Sequence, residues 1–165
     1  MERGSGETHP SLLEGTKGTY ALLINISCPS TVVIGRLGAL DFKKGRYAYV
    51  GSAFGPGGLT ARLGRYVEGP KRRHWHIDHL LPQAEVTGAL VSMSPERLEC
   101  RWAEWLASRA KQTIVGFGSS DCSCSGHLFY LGSSTHAEEI RTLAGCSLQV
   151  TTLTTKEISE ARLAL

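Results

Sequence analysis

The stretch YAYVGSAFGPGGLTARLGRY, residues 47 to 66, decides how the chain folds, because a strand, a glycine-rich break and a helix follow one another within it. Side chains of a strand point alternately to its two faces, so Tyr47, Tyr49 and Gly51 are predicted to share one face. The segment FGPGG, residues 54 to 58, then interrupts the strand. Tyr49 is therefore expected to lie where the glycine-rich loop opens.

The segment GLTARLGRYV, residues 58 to 67, is predicted to be an amphipathic helix. Its apolar residues follow the i, i+4, i+7, i+8 spacing of a single stripe. Arg62 lies at the border of this stripe, whereas Arg65 is expected to point further toward solvent. Because a guanidinium group can grip two phosphate oxygens, an arginine at the rim of a packed helix beside a phenol suggests a phosphate site.

The rest of the chain mixes strand and helix patterns. Further strands are predicted at residues 18–27, 30–35, 84–93, 112–118 and 127–132, and further helices at residues 74–81, 135–145 and 155–164. A helix that contains Leu98 and Trp102 is predicted to have Ser94 as its N-cap and Pro95 as its first residue. Residues 37–45 are predicted to form a turn.

Composition and element order predict one soluble α+β domain. The chain has 165 residues, of which 41% are hydrophobic and 20% charged, as in ordinary globular proteins. Hairpins mixed with helices favour a small, mostly antiparallel sheet flanked by helices over a doubly wound parallel sheet. We expect a flexible segment over residues 1–16, the domain over residues 17–145 and a C-terminal helical extension over residues 146–165.

The sequence contains no pattern for membrane insertion or export. The longest uninterrupted apolar runs, such as ALLI at residues 21 to 24, are about four residues long, too short to span a bilayer. The N-terminal residues 1 to 18 lack the hydrophobic core of a signal peptide. We therefore expect a cytoplasmic protein, without a membrane partner, whose five cysteines are reduced thiols.

Positive charge is concentrated in one segment. Residues 62 to 79 contain five cations against two acids, so this segment accounts for the whole net charge of +3. A local cluster of cations with an interleaved tryptophan suggests a track for a nucleic-acid backbone and one stacking platform. The residues predicted to bind nucleic acid are Arg65, Lys71, Arg72, Arg73, His74 and His76.

One acidic residue is expected to be half-buried. Glu99 follows Leu98 at the edge of the apolar stripe of its helix, while Glu104 lies on the opposite, solvated side. A carboxylate, an arginine and a tyrosine at the rims of packed elements can converge on one site. Glu99 is therefore the candidate acidic ligand.

The segment DCSCSGH, residues 121 to 127, contains zinc-type ligands. Cys122, Cys124 and His127 lie at tight spacing, but a structural zinc site requires four ligands. The pattern leaves the fourth ligand open among His74, His76 and Cys100. A Cys–His nucleophile pair and a packing loop with Asp121 as an accessory acid are the alternatives.

Four segments together resemble the GIY-YIG nuclease superfamily. GTY (18–20) stands where the first motif of that superfamily belongs, and YVG (49–51) is similar to the second. LTARLGRY (59–66) looks like the helix that follows, with its arginine at Arg62, and LECRWAEWL (98–106) resembles the helix of the acidic ligand. Tyr66 closes the arginine motif where relatives commonly have histidine.

The resemblance is closer to an uncharacterised branch of that superfamily, sometimes found fused to endonuclease III. The branch has similar GRLG, YVGSA.GPGGL.AR, HWHID.LL and GFG.SDC.C..HLFY segments, and the likeness covers residues 16 to 132. Each short motif is common, whereas the ordered set of long segments is specific.

The resemblance implies an endonuclease that hydrolyses phosphodiester bonds in DNA, or in RNA, with one Mg²⁺ or Mn²⁺ ion. The implied catalytic residues are Tyr20, Tyr49, Arg62 and Glu99. In such a site a tyrosine activates water, Arg62 holds the scissile phosphate and Glu99 binds the metal. A role in DNA repair, beside a repair enzyme, follows from the same resemblance.

Two other functions fit the sequence. A non-catalytic nucleic-acid-binding module predicts salt-sensitive binding without cutting, with a slope of log affinity against log salt near −4 for about five phosphate contacts. A zinc-stabilised interaction domain predicts stoichiometric Zn²⁺ in the purified protein.

Overall fold

The computed structural model describes residues 13–133 and 150–164. The strands are β1 (Gly18–Ile26), β2 (Ser30–Val33), β3 (Ala39–Phe42), β4 (Gly45–Ala53), β5 (Glu85–Ser92), β6 (Gln112–Ile114), β7 (Leu128–Gly132) and β8 (Thr151–Thr154). The α-helices are α1 (Gly58–Glu68), α2 (His76–Leu80), α3 (Glu99–Ala107) and α4 (Thr155–Leu163), with short 3₁₀ turns at Gly35–Leu37 and Leu81–Gln83.

The fold is α+β, as predicted. Six strands form one sheet in the order β6-β7-β4-β1-β5-β8, and every pairing in it is antiparallel. The remaining two strands, β2 and β3, form a separate hairpin. At the centre of the sheet, Tyr20 of β1 pairs with Gly51 of β4, and Leu22 pairs with Tyr49. The two predicted tyrosines therefore lie on adjacent strands, although 28 residues separate them.

Each face of the sheet carries its own apolar core. One core contains Tyr47 and Tyr49 together with residues from α1, α2 and α4, as the period-two alternation of β4 predicts. Ala48 and Val50 point to the other face, where they pack against α3. The molecule therefore has three layers, with α3 alone on its side among the described helices.

Three local predictions were wrong. Residues 37–45 contain the strand β3, whose Asp41 accepts a hydrogen bond from the Thr31 hydroxyl of β2 at 2.6 Å. The helix predicted from Pro95 begins at Glu99. The strand predicted over residues 112–118 ends at Ile114, because the chain turns through two glycines with positive φ, Gly116 and Gly118.

The C-terminal segment adds a strand as well as the predicted helix. β8 pairs with β5 at the edge of the sheet, and Arg162 of α4 donates a hydrogen bond to Glu68 of α1 at 3.0 Å. The helix predicted over residues 135–145 lies outside the described residues. Within the described ranges, no helix is long and apolar enough to cross a membrane.

Candidate active site

One pocket, of about 420 Å³, contains all four residues predicted to be catalytic. It is lined by Tyr20, Tyr49, Gly51, Ser52, Arg62, His74, Trp75, His76, Glu99, Gly118, Ser120 and Asp121. The tyrosines come from the sheet and Arg62 from α1, whereas Glu99 is the first residue of α3, which packs on the other face of the sheet. The pocket therefore contains residues from the helices on both faces, and we call it the tyrosine pocket. The catalytic roles of these residues stay predictions.

The glycine of the YVG motif makes room for Tyr20. A methyl group on Gly51 would lie 2.3 Å from the Tyr20 hydroxyl oxygen and 2.5 Å from its ring carbon Cζ. The Tyr20 hydroxyl is 2.8 Å from that of Tyr66, and both rings are buried. Gly51 therefore fixes where the Tyr20 phenol lies, and Tyr66 holds it there.

Replacing Gly51 with alanine is expected to disturb this packing. The added methyl group must displace the buried Tyr20 ring, and overpacking of this kind costs about 1–3 kcal/mol of the free energy of unfolding. Gly55→Ala in the adjoining loop is the matched control, because its methyl group meets no atom within 4 Å. Urea unfolding of both variants measures the difference, and equal stability would contradict the assignment.

Both phenols of the pocket hold their protons tightly. Burial, then the neighbouring Tyr66, raises the pKa of Tyr49 well above its ordinary value, and Arg62 only partly opposes that rise. The pKa of Tyr20 is raised in the same way by burial and by Tyr66 and Tyr49. Either phenol therefore requires additional positive charge before it can act as a base near neutral pH.

Arg62 faces both the pocket and an aromatic ring. Its guanidinium carbon lies 4.2 Å from the centre of the Trp75 ring, and that of Arg65 lies 4.4 Å from the same centre. These are cation–π distances. The ring therefore orients Arg62 at the pocket wall while the arginine stays half-buried.

Glu99 is held by two neighbours. Its Oε1 lies 3.0 Å from His127 Nδ1, which is within the distance of an ion pair. The two groups are not aligned as in a regular hydrogen bond. Burial raises the pKa of Glu99, but His127 and the Ser52 hydroxyl outweigh burial and keep it below the ordinary value. The side chain is 27% exposed. Glu99 is therefore an ionised, half-buried carboxylate, as the sequence predicts.

Arg65 does not point to solvent as predicted. Its two terminal nitrogens each donate a hydrogen bond to Asp78 at 2.7 Å, and Asp78 is fully buried. The Asp78 carboxylate also accepts bonds from the backbone N–H groups of His74 and Trp75, at 2.7 and 2.9 Å. The Asp78 carboxylate therefore contacts the backbone of His74, and it connects the start of α2 to α1.

Of the other predicted nucleic-acid contacts, two histidines line the pocket, whereas the three cations Lys71, Arg72 and Arg73 are not among its lining residues. Lys71, Arg72 and Arg73 are exposed and form what we call the basic segment. The exposed His74 and half-buried His76 line the pocket, and His76 Nδ1 accepts a hydrogen bond from the Gly118 N–H at 3.0 Å.

The loop between β6 and β7 and the first turn of α3 bring a set of candidate metal ligands together beside the pocket. Cys100, Cys122, Cys124 and His127 have ligand atoms within 4.8 Å of one another, close enough to hold a metal ion. We call them the Cys–His cluster. The fourth candidate ligand is thus Cys100, whereas His74 and His76 line the pocket instead. Asp121 lines the pocket too, from the same loop.

Two residues of the site were not predicted from the sequence: Ser52, which contacts Glu99, and Tyr66, which holds the Tyr20 hydroxyl. Of these, Tyr66 could have been identified, since it closes the arginine motif. His127 was predicted as a zinc-type ligand, but its contact with Glu99 was not predicted.

Comparison with known proteins places the chain in one family. Residues 19–148, well over half of the chain, match the family described as domain of unknown function DUF123. The match includes every residue of the tyrosine pocket and the Cys–His cluster, and ends before β8. No curated protein and no solved structure matches the chain. The chain therefore belongs to the DUF123 family.

Proposed function

We propose that this protein is a metal-dependent endonuclease of the GIY-YIG type, which hydrolyses phosphodiester bonds in DNA. One observation supports the proposal above all others: two phenols, a guanidinium group and an ionised carboxylate line the same pocket. Phosphodiester hydrolysis requires a base for water, a cation for the phosphate and an oxygen ligand for a metal, and these side chains supply all three. DNA repair is the setting we propose.

The residues of the pocket divide the chemistry among them. Arg62 binds two oxygens of the scissile phosphate and stabilises the charge that builds on it in the transition state. Tyr20 and Tyr49 are the candidate bases for the attacking water, and Tyr66 holds Tyr20 in position. The Trp75 ring stacks with Arg62 and Arg65 and keeps Arg62 aligned. This stacking leaves the positive charge of Arg62 available to the phosphate.

A magnesium or manganese ion fits the residues present. Such ions bind through one or two carboxylates, substrate phosphate and water, and Glu99 presents one half-exposed carboxylate to a pocket of about 420 Å³. When bound, the ion would lower the pKa of a neighbouring phenol and stabilise the leaving oxygen. Glu99 is the residue that would hold it.

A cleavage assay tests the proposal. Labelled single-stranded, duplex and branched DNA is incubated with the purified protein and Mg²⁺ or Mn²⁺, with an EDTA control and an RNA strand as the alternative substrate. We expect metal-dependent cuts that are absent from Arg62→Ala and Glu99→Gln preparations purified in the same way. Equal cutting by the wild type and both variants would identify a contaminating nuclease and reject the proposal.

Binding of DNA is expected to depend on the basic segment. Lys71→Ala/Arg72→Ala/Arg73→Ala removes three exposed cations, which should reduce the slope of log affinity against log salt by about 2.7 for duplex DNA. The matched control is Lys43→Ala/Lys44→Ala/Lys111→Ala, three exposed lysines at the opposite end of β4 from Gly51. Salt titrations by fluorescence anisotropy measure both slopes. An equal reduction of the slope in the two variants would contradict specific binding of DNA by the basic segment.

A non-catalytic binding module is the competing hypothesis. It predicts the same salt dependence with no cutting under any metal. The convergence of Tyr20, Tyr49, Arg62 and Glu99 favours the enzyme, because backbone binding alone requires neither buried phenols nor a carboxylate in a pocket.

We propose Zn²⁺ as the ion of the Cys–His cluster. Three thiolates and one imidazole form a ligand set typical of structural zinc, which is closed to substrate because all four positions come from the protein. One zinc per chain, measured by mass spectrometry of the metal, is the expected result. Such a site is compatible with the nuclease and also meets the requirement of a zinc-stabilised interaction domain.

A further inference from the structure

We propose that the ion of the Cys–His cluster positions the carboxylate of the tyrosine pocket, with His127 as the link. The effect on catalysis rests on the proposed nuclease function, whereas the link between the ion and Glu99 is a property of metal binding. His127 acts through Glu99 and is therefore a positioning residue.

The two nitrogens of the buried His127 ring face different sites. Nε2 is 3.4 Å from Cys122 Sγ, inside the cluster, and Nδ1 is 3.0 Å from Glu99 Oε1. The ring is 1% exposed, so water does not compete for either nitrogen. An ion bound at Nε2 leaves the proton on Nδ1, the nitrogen that lies 3.0 Å from the Glu99 carboxylate. Histidine ligands in proteins commonly donate their second N–H to a carboxylate.

The chain connects the two sites a second time. Glu99 and Cys100 are consecutive residues in the first turn of α3, so one enters the pocket while the next enters the cluster. The other ligands belong to the β6–β7 loop, which also supplies Gly118, Ser120 and Asp121 to the pocket. One ion therefore fixes α3 to this loop, and with it two walls of the tyrosine pocket.

The Tyr49 ring shows how closely this wall is packed. A methyl group on Gly118, which has φ +73°, would lie 2.9 Å from the Tyr49 ring and 3.3 Å from His127 Cβ. Gly118 of this loop therefore lies against both the Tyr49 ring and His127. Release of the loop would loosen Tyr49 and Glu99 together.

The test measures zinc affinity first, without reference to activity. A chelator competition is run on the wild type, Glu99→Gln and Glu104→Gln. Glu104 lies exposed on the same helix and is the matched control. Loss of a carboxylate behind a histidine ligand weakens metal binding about 10- to 100-fold, so we expect that loss for Glu99→Gln and no change for Glu104→Gln. The thiolate charge-transfer band of the Co²⁺-loaded protein reports that the ligands stay in place.

A second set of three variants separates the link from the fold. His127→Cys keeps four ligands but removes the contact with Glu99, so we expect one zinc per chain, unchanged unfolding and a cleavage rate reduced about 10- to 100-fold. The Mg²⁺ concentration at half-maximal rate should rise, which a purely structural role would not produce. Cys124→Ser should lose zinc and cleavage together. Cys28→Ser changes an exposed cysteine outside the cluster and should alter neither.

The outcomes separate the hypotheses. Absence of zinc from the wild type, with no uptake of Co²⁺, overturns the site. Equal zinc affinity in Glu99→Gln and Glu104→Gln overturns the link even when zinc is present. Absence of cleavage in every preparation rejects the nuclease, while the affinity comparison still decides the link.

Discussion

Replacing Arg62 with alanine is expected to lower the rate of DNA cleavage about 100- to 1,000-fold, the loss that follows removal of one group stabilising transition-state charge. Arg62 lines the tyrosine pocket and is the cation that we propose binds the phosphate; its guanidinium carbon lies 4.2 Å from the centre of the Trp75 ring. Arg62→Lys keeps the charge and the aliphatic stem but loses the planar fork, so an intermediate rate is expected. Single-turnover cleavage of a labelled duplex measures all three proteins.

The matched control for Arg62 is Arg101→Ala. The Arg101 side chain is 71% exposed on α3 and pairs only loosely with Glu96, at 3.6 Å. Its loss should leave the cleavage rate unchanged. Circular dichroism and thermal unfolding confirm that each variant is folded. Cleavage by Arg62→Ala within threefold of the wild type would remove Arg62 from the mechanism.

Replacing Asp78 with alanine is expected to cause the largest loss of stability, about 3–5 kcal/mol. The Asp78 carboxylate is fully buried and accepts two bonds from Arg65 and two from the backbone before α2. Alanine leaves the Arg65 guanidinium, which is 24% exposed, without its carboxylate partner. For a domain of this size the melting temperature should fall by roughly 6–20 °C.

The surface pair Glu96–Arg101 supplies the control for Asp78. Both side chains are about 70% exposed, so Glu96→Ala should cost only about 0–1 kcal/mol. Urea unfolding at pH 7 measures both variants. A loss below 1 kcal/mol for Asp78→Ala would show that the buried ion pair does not hold α2 to α1.

The stabilising effect of Asp78 should disappear in acid. Burial raises its pKa, but the bonds from Arg65 and from the backbone of Trp75 and His74 outweigh burial and hold it below the ordinary value. A carboxyl group whose pKa is lower in the folded state contributes stability above its unfolded pKa, about 3.9, and loses that contribution as pH falls through the folded pKa. The stability difference between wild type and Asp78→Ala is expected to stay constant from pH 7 to about 5 and to narrow below about pH 4.

Several features of the site follow from local pattern. The alternation along β4 placed Tyr49 and Gly51 on one face, and helical spacing placed Arg62 at the rim of α1 and Glu99 at the edge of α3. These predictions depend on backbone periodicity and burial, which neighbouring residues determine. The same local reasoning failed for the start of α3. The Ser94 side chain accepts a bond from the Glu96 N–H in a short turn, and the Leu98 N–H binds the Thr19 hydroxyl of β1.

The strand β3 shows another limit of local pattern. Residues 37–45 contain glycines and an aspartate, which favour a turn. The bond from Thr31 to Asp41 and pairing along the whole of β2 keep the segment extended. Whether such a segment forms a strand or a turn depends on its cross-strand partner, and the residues within the segment do not identify that partner.

The sequence by itself determined the α+β class, the amphipathic faces, the half-buried Glu99 and the concentration of cations in residues 62–79, because composition and periodicity are local properties of a chain. Only the tertiary structure decided that Tyr20 lies beside Gly51, that Arg65 is paired with Asp78, and that Cys100 completes the Cys–His cluster. Each of these depends on strand register or on contacts between distant segments, which come from packing the whole chain. The contact of His127 with Glu99, which joins the cluster to the tyrosine pocket, is of that second kind.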